Sequence, residues 1–313
     1  MSFQILFSAI APVMLVLGLG YAAGKHRDFD ADQTAGFSRL ALQYALPATL
    51  FLGMAHFNRK LLTEQAPVAV IMLLGYSAFF LVAYGLLRWM KMDALRAALL
   101  GYTVSSTAVP IYGLTVLTPI FGPTDGTGIV GLAALVTNLT QVSVAIFLLQ
   151  SAAPAAGTPP SLLQAMRRAA RNPLVWAPVL GVLFSLSGWH LSPLVNAALE
   201  PLAVSAAGVA IFASGLALAA YRMKLTSKTV VLATVVCVVV QPALFYLLVK
   251  LSGAPGSMAR AAFVASCMPT STPTVLFAQQ YRILESETAT IMLLTTVLML
   301  ASLPACLALS AHL

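Results

Sequence analysis

Two apolar segments of the chain are each interrupted by prolines and a cluster of hydroxyl residues. The first interruption runs from Ser105 to Pro110 and the second from Met268 to Pro273. Proline removes a backbone donor, and its ring clashes with the preceding turn of a helix. Backbone groups freed at membrane depth are tolerated only where they are buried in protein or line a cavity. The pair therefore predicts two broken helices beside a cavity.

The composition places these segments in a lipid bilayer. Sixty per cent of the residues are hydrophobic, only 8% are charged, and the 313 positions contain nine acids. Such a chain cannot cover an ordinary water-soluble surface, so we expect an integral membrane protein whose surroundings are membrane lipids. The net charge of +8 comes from single basic residues scattered between apolar runs, and this pattern argues against a nucleic-acid partner.

Ten apolar segments are long enough to cross the hydrocarbon core. They lie near residues 3–23, 37–56, 66–89, 95–118, 127–150, 173–189, 193–220, 228–251, 258–280 and 287–310. The polar stretch 151–172 separates two five-segment halves, 1–150 and 173–313, and is predicted to be a cytoplasmic linker.

The distribution of basic residues predicts the orientation. Thirteen of the seventeen lie after odd-numbered segments or at the adjoining ends, and only Arg59, Lys60, Lys250 and Arg260 lie on the other side. Cytoplasmic loops carry the excess of lysine and arginine. Both termini are therefore predicted to lie outside the cytoplasm.

An odd number of segments per half means that a duplicated second half enters the membrane upside down. At an offset of 164 residues, Arg96-Ala97-Ala98 matches Arg260-Ala261-Ala262, and the two hydroxyl clusters align. The predicted fold is an all-α integral membrane protein with ten transmembrane helices, arranged as two inverted five-helix repeats. Helices 4 and 9 are predicted to be broken and to cross.

The two breaks predict an anion site. Each second half-helix would begin near the midplane with unpaired backbone N–H groups, and the two positive helix ends would converge on one ligand. The hydroxyls available there belong to Ser105, Ser106, Thr107, Thr270, Ser271 and Thr272. In the alternative reading, the prolines only kink ordinary helices and the hydroxyls bond back to the preceding turn.

Segment 5 contains a polar cluster in an otherwise apolar run. Asn138 and Gln141 are three residues apart and are predicted to share one helix face. They are candidates for ligand or cation coordination, or alternatively for hydrogen bonds between helices.

The polar groups that are missing restrict the chemistry. All nine acids are predicted to lie in loops or at helix ends, so a buried carboxylate relay is not expected. The four histidines have no metal-binding spacing, and no nucleophile–base pair or phosphate loop is present. We therefore predict no enzyme activity, no metal and no cofactor, with a channel or a ligand-sensing receptor as alternatives to a carrier.

The sequence resembles the auxin efflux carrier family of the bile-acid and auxin transporter superfamily over nearly its whole length. The resemblance rests on Ala11 to Tyr21, Ala45 to Phe51, Val109-Pro110 and Cys267 to Pro273. The first two stretches are similar to bacterial malonate carriers of that family. The resemblance implies a bacterial inner-membrane protein that forms a homodimer through a scaffold of helices 1, 2, 6 and 7.

The resemblance also implies a transport domain, formed by helices 3 to 5 and 8 to 10, that moves elevator-fashion. Its implied crossover and hinge prolines are Pro47, Pro110, Pro269 and Pro273. The implied substrate-binding residues are Ser105, Ser106, Thr107, Val109, Pro110, Asn138, Gln141, Thr270, Ser271, Thr272 and Pro273.

The expected substrate is a small organic anion, with malonate or a related carboxylate first. The alternatives are an amphipathic acid of auxin or bile type, or a membrane sensor that transports nothing. No arginine is predicted at the midplane to bind a second carboxylate. The second carboxylate could be protonated, so that the substrate is a monoanion, or a cation could accompany it. Alternatively, the side chain of Arg39 or Arg260 could extend to it. The working hypothesis is a monoanion. Either a proton or sodium is a possible coupling ion.

Overall fold

The computed structural model describes residues 3–56, 65–153, 171–189, 191–220, 223–254 and 256–313. Within these ranges the chain is helical almost throughout, and the one extended pairing is an antiparallel bridge between Thr107 and Thr270. Most of the predicted linker 151–172 lies outside the described residues. So do the predicted loop residues Arg59, Lys60, Arg167, Arg168 and Arg222.

Twelve helices can be distinguished in the described ranges. They are α1 (Phe3–His26), α2 (31–55), α3 (Ala66–Trp89), α4 (Ala94–Ser105), α5 (109–121), α6 (Thr124–Ala152), α7 (Pro173–Ser187), α8 (Pro193–Ala220), α9 (Lys228–Ser252), α10 (Ser257–Ala265), α11 (Pro273–Tyr281) and α12 (Glu285–Ser310). The boundary between α5 and α6 is Gly122, whose φ of 87° and ψ of 166° are not helical.

The helices are those of a membrane protein. Among the described residues, α3, α6, α8, α9 and α12 are long and apolar enough to cross a bilayer, and α7 is a shorter apolar helix. Large apolar side chains such as Val82, Val204 and Leu232 are exposed on the outside of the bundle. Exposed apolar faces of this kind suit lipid and not water. The prediction of a multi-pass helical membrane protein is confirmed at this level.

The structure refines several predicted boundaries. Predicted segments 4 and 9 are each divided in two, into α4 and α5 and into α10 and α11. Segment 2 begins at Ala31 and not at residue 37, because Asp30 and Gln33 form a capping box with two 2.8 Å hydrogen bonds. Such a box fixes a helix start ahead of the apolar run.

Four helices contain a π turn that the sequence analysis did not predict. These turns are Ala41–Ala45 in α2, Leu73–Ala78 in α3, Thr137–Val142 in α6 and Val236–Val240 in α9. Pro47 follows the first of them and α2 continues beyond it to Ala55. A π turn displaces the preceding carbonyls, which lets a proline follow without ending the helix.

Helices α1, α2, α7 and α8 pack together closely. A Cβ atom added at Gly20 of α1 would overlap the carbonyl oxygen of Phe212 on α8, and one added at Gly215 would overlap the carbonyl of Leu17. Gly181 of α7 approaches the carbonyl of Phe51 on α2 in the same way. Small residues allow this backbone contact between membrane helices.

The short helices α4 and α10 lie in the centre of the bundle. Every residue of α4 from Ala97 to Ser105 is buried, as is every residue of α10 from Ala261 to Ala265. A helix that is buried all round has no lipid-facing or solvent-facing side. The two breaks that follow these helices are therefore inside the protein.

Candidate functional site

The two breaks lie against each other. Thr107 and Thr270 form the antiparallel bridge, and the Ala108 N–H donates to the Pro269 carbonyl at 2.8 Å. Each break thus supplies backbone hydrogen bonds that the other has lost. This mutual pairing explains how irregular backbone persists in the apolar interior.

Several polar side chains form hydrogen bonds with the backbone of the breaks. The Thr270 hydroxyl donates to the Thr103 carbonyl at 2.6 Å, and the Gln241 amide donates to the Ser105 carbonyl at 2.7 Å. The Thr270 N–H donates to the Thr295 hydroxyl at 3.2 Å. Carbonyls at the end of α4 have no helical partner, so these bonds offset the cost of burying them.

A second set of hydroxyls forms a cluster between the breaks. Ser271 donates to Ser106 at 2.9 Å and lies 3.5 Å from the Tyr102 hydroxyl, and Ser106 lies 3.3 Å from the Thr274 hydroxyl. A hydroxyl can both donate and accept. This cluster can therefore reorient its protons toward a ligand without breaking the fold.

A cavity of about 230 Å³ opens beside this cluster. One wall comes from α2 and α8 and the other from the two breaks and α6. None of the described residues that line it is charged. They are Leu46, Thr49, Leu50, Gly53, Met54, Tyr102, Ser106, Thr107, Ala108, Ala134, Thr137, Asn138, Gln141, Val142, Ala203, Ala206, Ala207, Ala210, Ser271, Thr272 and Pro273.

The two predicted amides of α6 both face the cavity. Asn138 and Gln141 lie in the π turn Thr137–Val142, and both line the cavity wall. Gln141 donates to the Tyr76 carbonyl at 3.2 Å and to the Ser105 hydroxyl at 3.0 Å, while its side-chain oxygen is buried without a partner. Gln141 therefore joins α3, α4 and α6 and retains one acceptor.

The helix ends differ from the sequence expectation. At the start of α11, the Thr274 N–H bonds to the Ser271 carbonyl at 3.2 Å and the Val275 N–H to the Thr272 carbonyl at 3.0 Å. The expectation of wholly unpaired N–H groups is wrong for α11, because the first turn tightens and uses them. Side-chain donors consequently have a larger share in any anion contact.

Most, but not all, of the predicted site residues line the cavity. Those that do are Ser106, Thr107, Asn138, Gln141, Ser271, Thr272 and Pro273. Ser105, Val109, Pro269 and Thr270 lie in or beside the breaks but outside the lining. The Pro110 side chain lies outside the described part of the structure, although α5 begins at Val109.

Neither Tyr102 nor the wall formed by α2 and α8 was predicted from the sequence. Tyr102 lies four residues before Ser106, one helical turn ahead of the predicted hydroxyl cluster, and this spacing could have identified it. Thr49 of α2 and the four alanines of α8 that line the cavity do not belong to a polar cluster in the sequence, so they could not have been identified in this way.

Metal and charge contribute nothing to this site among the described residues. No group of three His, Cys, Asp or Glu side chains lies close enough to bind a metal ion there. The ion pair found in those ranges, Lys224 with Glu287 at 2.9 Å, joins the chain before α9 to the start of α12 and lies away from the cavity. Within the described part of the chain the cavity wall is uncharged, with hydroxyls and amides set in a mostly apolar lining.

Apolar helices exposed on the outside and broken helices paired in the interior define a class of protein: multi-pass helical membrane proteins. The sequence profile of the family described as membrane transport protein matches residues 5–307. The chain therefore belongs to this membrane transport protein family.

Named relatives agree with the family assignment. The chain is 31% identical over 223 residues to a protein named uncharacterized transporter YfdV of Escherichia coli K12, and the match covers 70% of each chain. It shows the same identity and coverage with the YfdV proteins of Escherichia coli O157:H7 and Shigella flexneri.

Proposed function

We propose that this transporter is a secondary carrier of small organic anions, with malonate or a related carboxylate as the first candidate. The observation that carries the proposal is the cavity beside the paired breaks, whose described lining residues include hydroxyls and amides and no basic side chain. Groups of this kind can hold one carboxylate by hydrogen bonds. They provide no fixed charge for a strongly charged ligand.

The cavity size favours a small ligand. Its volume of about 230 Å³ is below the range of roughly 300–1,000 Å³ that drug-sized ligands occupy. A short-chain carboxylic acid fits this volume, and the resemblance to bacterial malonate carriers points to the same size class.

We further propose ten membrane spans in two inverted repeats. Thr107 and Thr270, the residues joined by the bridge, are 163 positions apart, close to the repeat offset in the sequence. The π turns Leu73–Ala78 and Val236–Val240 lie at nearly the same separation in α3 and α9. Matching irregularities in matching helices support a duplicated origin.

In the proposed mechanism, the carrier alternates access by an elevator movement. Helices α1, α2, α7 and α8 form the scaffold, and α3 to α6 with α9 to α12 form the moving domain. Support comes from the cavity, which lies between the two groups, and from its α8 wall of Ala203, Ala206, Ala207 and Ala210. A wall of small side chains offers little steric resistance to sliding.

The proposed setting is the bacterial inner membrane, with both termini outside the cytoplasm and a homodimer formed through the scaffold. The proton or the substrate gradient is the proposed driving force. Cross-linking in native membranes and accessibility labelling of each terminus would test the dimer and the orientation.

A second candidate substrate is an amphipathic acid of auxin or bile type. Leu46, Leu50, Met54 and Val142 give the cavity an apolar side that a methylene or an aromatic ring would contact.

The proposal is tested by uptake of labelled malonate into proteoliposomes of the purified protein. Short mono- and dicarboxylates, an indole acid and a bile acid serve as competitors. Saturable uptake blocked best by short acids supports the carrier of small anions. Blocking only by the amphipathic acids would favour the second candidate.

A further inference from the structure

Gln141 gives the cavity one polar atom whose chemistry is fixed. The residue is 1% exposed and lines the cavity. Its nitrogen Nε2 donates to the Tyr76 carbonyl and the Ser105 hydroxyl, and neither of those residues lines the cavity. Its oxygen Oε1 is buried and has no hydrogen-bond partner in the described structure. Oε1 is therefore the polar atom left for a ligand.

The orientation of this amide follows from its partners. A backbone carbonyl can only accept, so the atom facing the Tyr76 carbonyl must be the amide nitrogen. Rotating the amide by half a turn would place one oxygen against another. This residue of the cavity wall thus keeps a buried acceptor that cannot become a donor.

The other free groups of the cavity favour an anion. Asn138 is a partly buried amide in the cavity wall, and the Thr107 hydroxyl is buried without a hydrogen-bond partner among the described residues. The Tyr102 hydroxyl, beside Ser271, is a further donor. These groups can donate to a carboxylate, whereas Oε1 requires a donor from the ligand.

Resting on the proposed carrier function, we propose that Gln141 selects acids that carry one carboxylate and one hydrogen-bond donor. For a dicarboxylic acid this is the singly ionised form. Its protonated carboxyl donates O–H to Gln141 Oε1, and its carboxylate accepts from the donors of Asn138, Thr107 and Tyr102.

This selection has a consequence for energy coupling. A dianion would direct a carboxylate at Oε1 with no basic side chain among the described cavity residues, so it is excluded. The proton crosses the membrane on the substrate and is released after unloading, so transport needs no titrating side chain in the membrane. A dicarboxylate carrier of this kind is coupled to protons although its cavity is uncharged.

Two monoanions of similar size have the same charge but differ in whether they carry a hydrogen-bond donor. The monoamide of malonate has a carboxylate and N–H donors, whereas its monomethyl ester has a carboxylate and no donor. Both carry one charge near neutral pH. We expect the amide to inhibit labelled malonate uptake by the wild-type protein about tenfold more strongly than the ester, because the ester leaves a buried acceptor unpaired.

Two variants test whether the difference in inhibition between the amide and the ester arises at Gln141. Gln141→Met removes the acceptor and is expected to bring the two inhibition constants within about twofold of each other. Thr296→Val removes a buried hydroxyl of α12 that bonds to the Met292 carbonyl of its own helix and does not line the cavity, and it should keep the wild-type ratio. The wild-type ratio is decisive alone if a variant fails to fold.

The outcomes distinguish this inference from the proposed function. Equal inhibition by amide and ester overturns the role of Gln141 and leaves the carrier function standing. Strict sodium dependence at fixed pH also overturns it, because a cation would then occupy Oε1. If the proteoliposomes show neither uptake of labelled malonate nor inhibition by any acid tested, both the role of Gln141 and the proposed carrier function are overturned. Uptake that follows the concentration of singly ionised malonate as the pH falls supports the inference.

Discussion

Ser106 and Thr270 occupy aligned places in the two breaks, but their hydroxyls have different partners. Thr270 donates to the Thr103 carbonyl, which has lost its helical partner. Ser106 belongs to the hydroxyl cluster and lines the cavity. Both were predicted as ligand contacts from residue type alone. Their hydrogen-bond partners could not be predicted, because these partners lie on the other break or its helix, 165 to 168 positions away in the chain.

Substitutions at these positions should therefore have different effects. Ser106→Leu fills the cavity and should abolish transport with little loss of stability, whereas Ser106→Ala should weaken apparent substrate affinity several-fold by removing one hydrogen bond. Thr270→Leu should lower the thermal unfolding temperature, because it leaves the Thr103 carbonyl with only the weak thiol contact of Cys237 at 3.7 Å. Uptake and thermal unfolding in detergent measure the two effects. Normal uptake by Ser106→Leu would remove Ser106 from the site.

At the scale of elements, helix positions and breaks could be predicted because apolar run length and proline are local signals. The division of segments 4 and 9 appears in the structure as α4 with α5 and α10 with α11. The four π turns could not be predicted, because an inserted residue leaves no change in composition. The contact of α1 with α8 depends on glycines whose partner helix lies about 190 residues away.

Two glycines of α1 give a matched test of that contact. Gly20→Ala puts a Cβ against the Phe212 carbonyl and should destabilise the protein by about 1–3 kcal/mol, the usual cost of overpacking. Gly18→Ala meets no atom within 4 Å and should be neutral. Thermal unfolding of both variants in the same detergent compares them. Equal stability of the two variants would show that α1 and α8 are not in backbone contact.

At the scale of the whole molecule, the proposed elevator requires contacts between scaffold and moving domain to break. The Ser38 hydroxyl of α2 donates to Gln279 of α11 at 2.5 Å, across this boundary. The neighbouring Phe37 packs against Phe212 of α8 with ring centres 5.8 Å apart, inside the scaffold. Ser38 therefore takes part in a contact between the scaffold and the moving domain, and the adjacent Phe37 in a contact within the scaffold.

Cysteine pairs at these contacts test the movement. In a background without Cys237, Cys267 and Cys306, oxidation of the S38C/Q279C double variant should reduce transport to background, and reduction should restore it. The F37C/F212C pair should transport equally well in both states, because it joins two helices of the scaffold. Full transport by the oxidised S38C/Q279C protein would contradict an elevator movement across this boundary.

In the proposed function, the cavity beside the paired breaks carries small organic anions by alternating access. Counterflow in proteoliposomes tests this proposal, with wild-type protein and Ser106→Leu compared side by side. Vesicles loaded with unlabelled malonate should accumulate labelled malonate transiently above its outside concentration, and the Ser106→Leu vesicles should not. Saturable counterflow that is equal in both proteins, or linear uptake without any overshoot, would contradict the account.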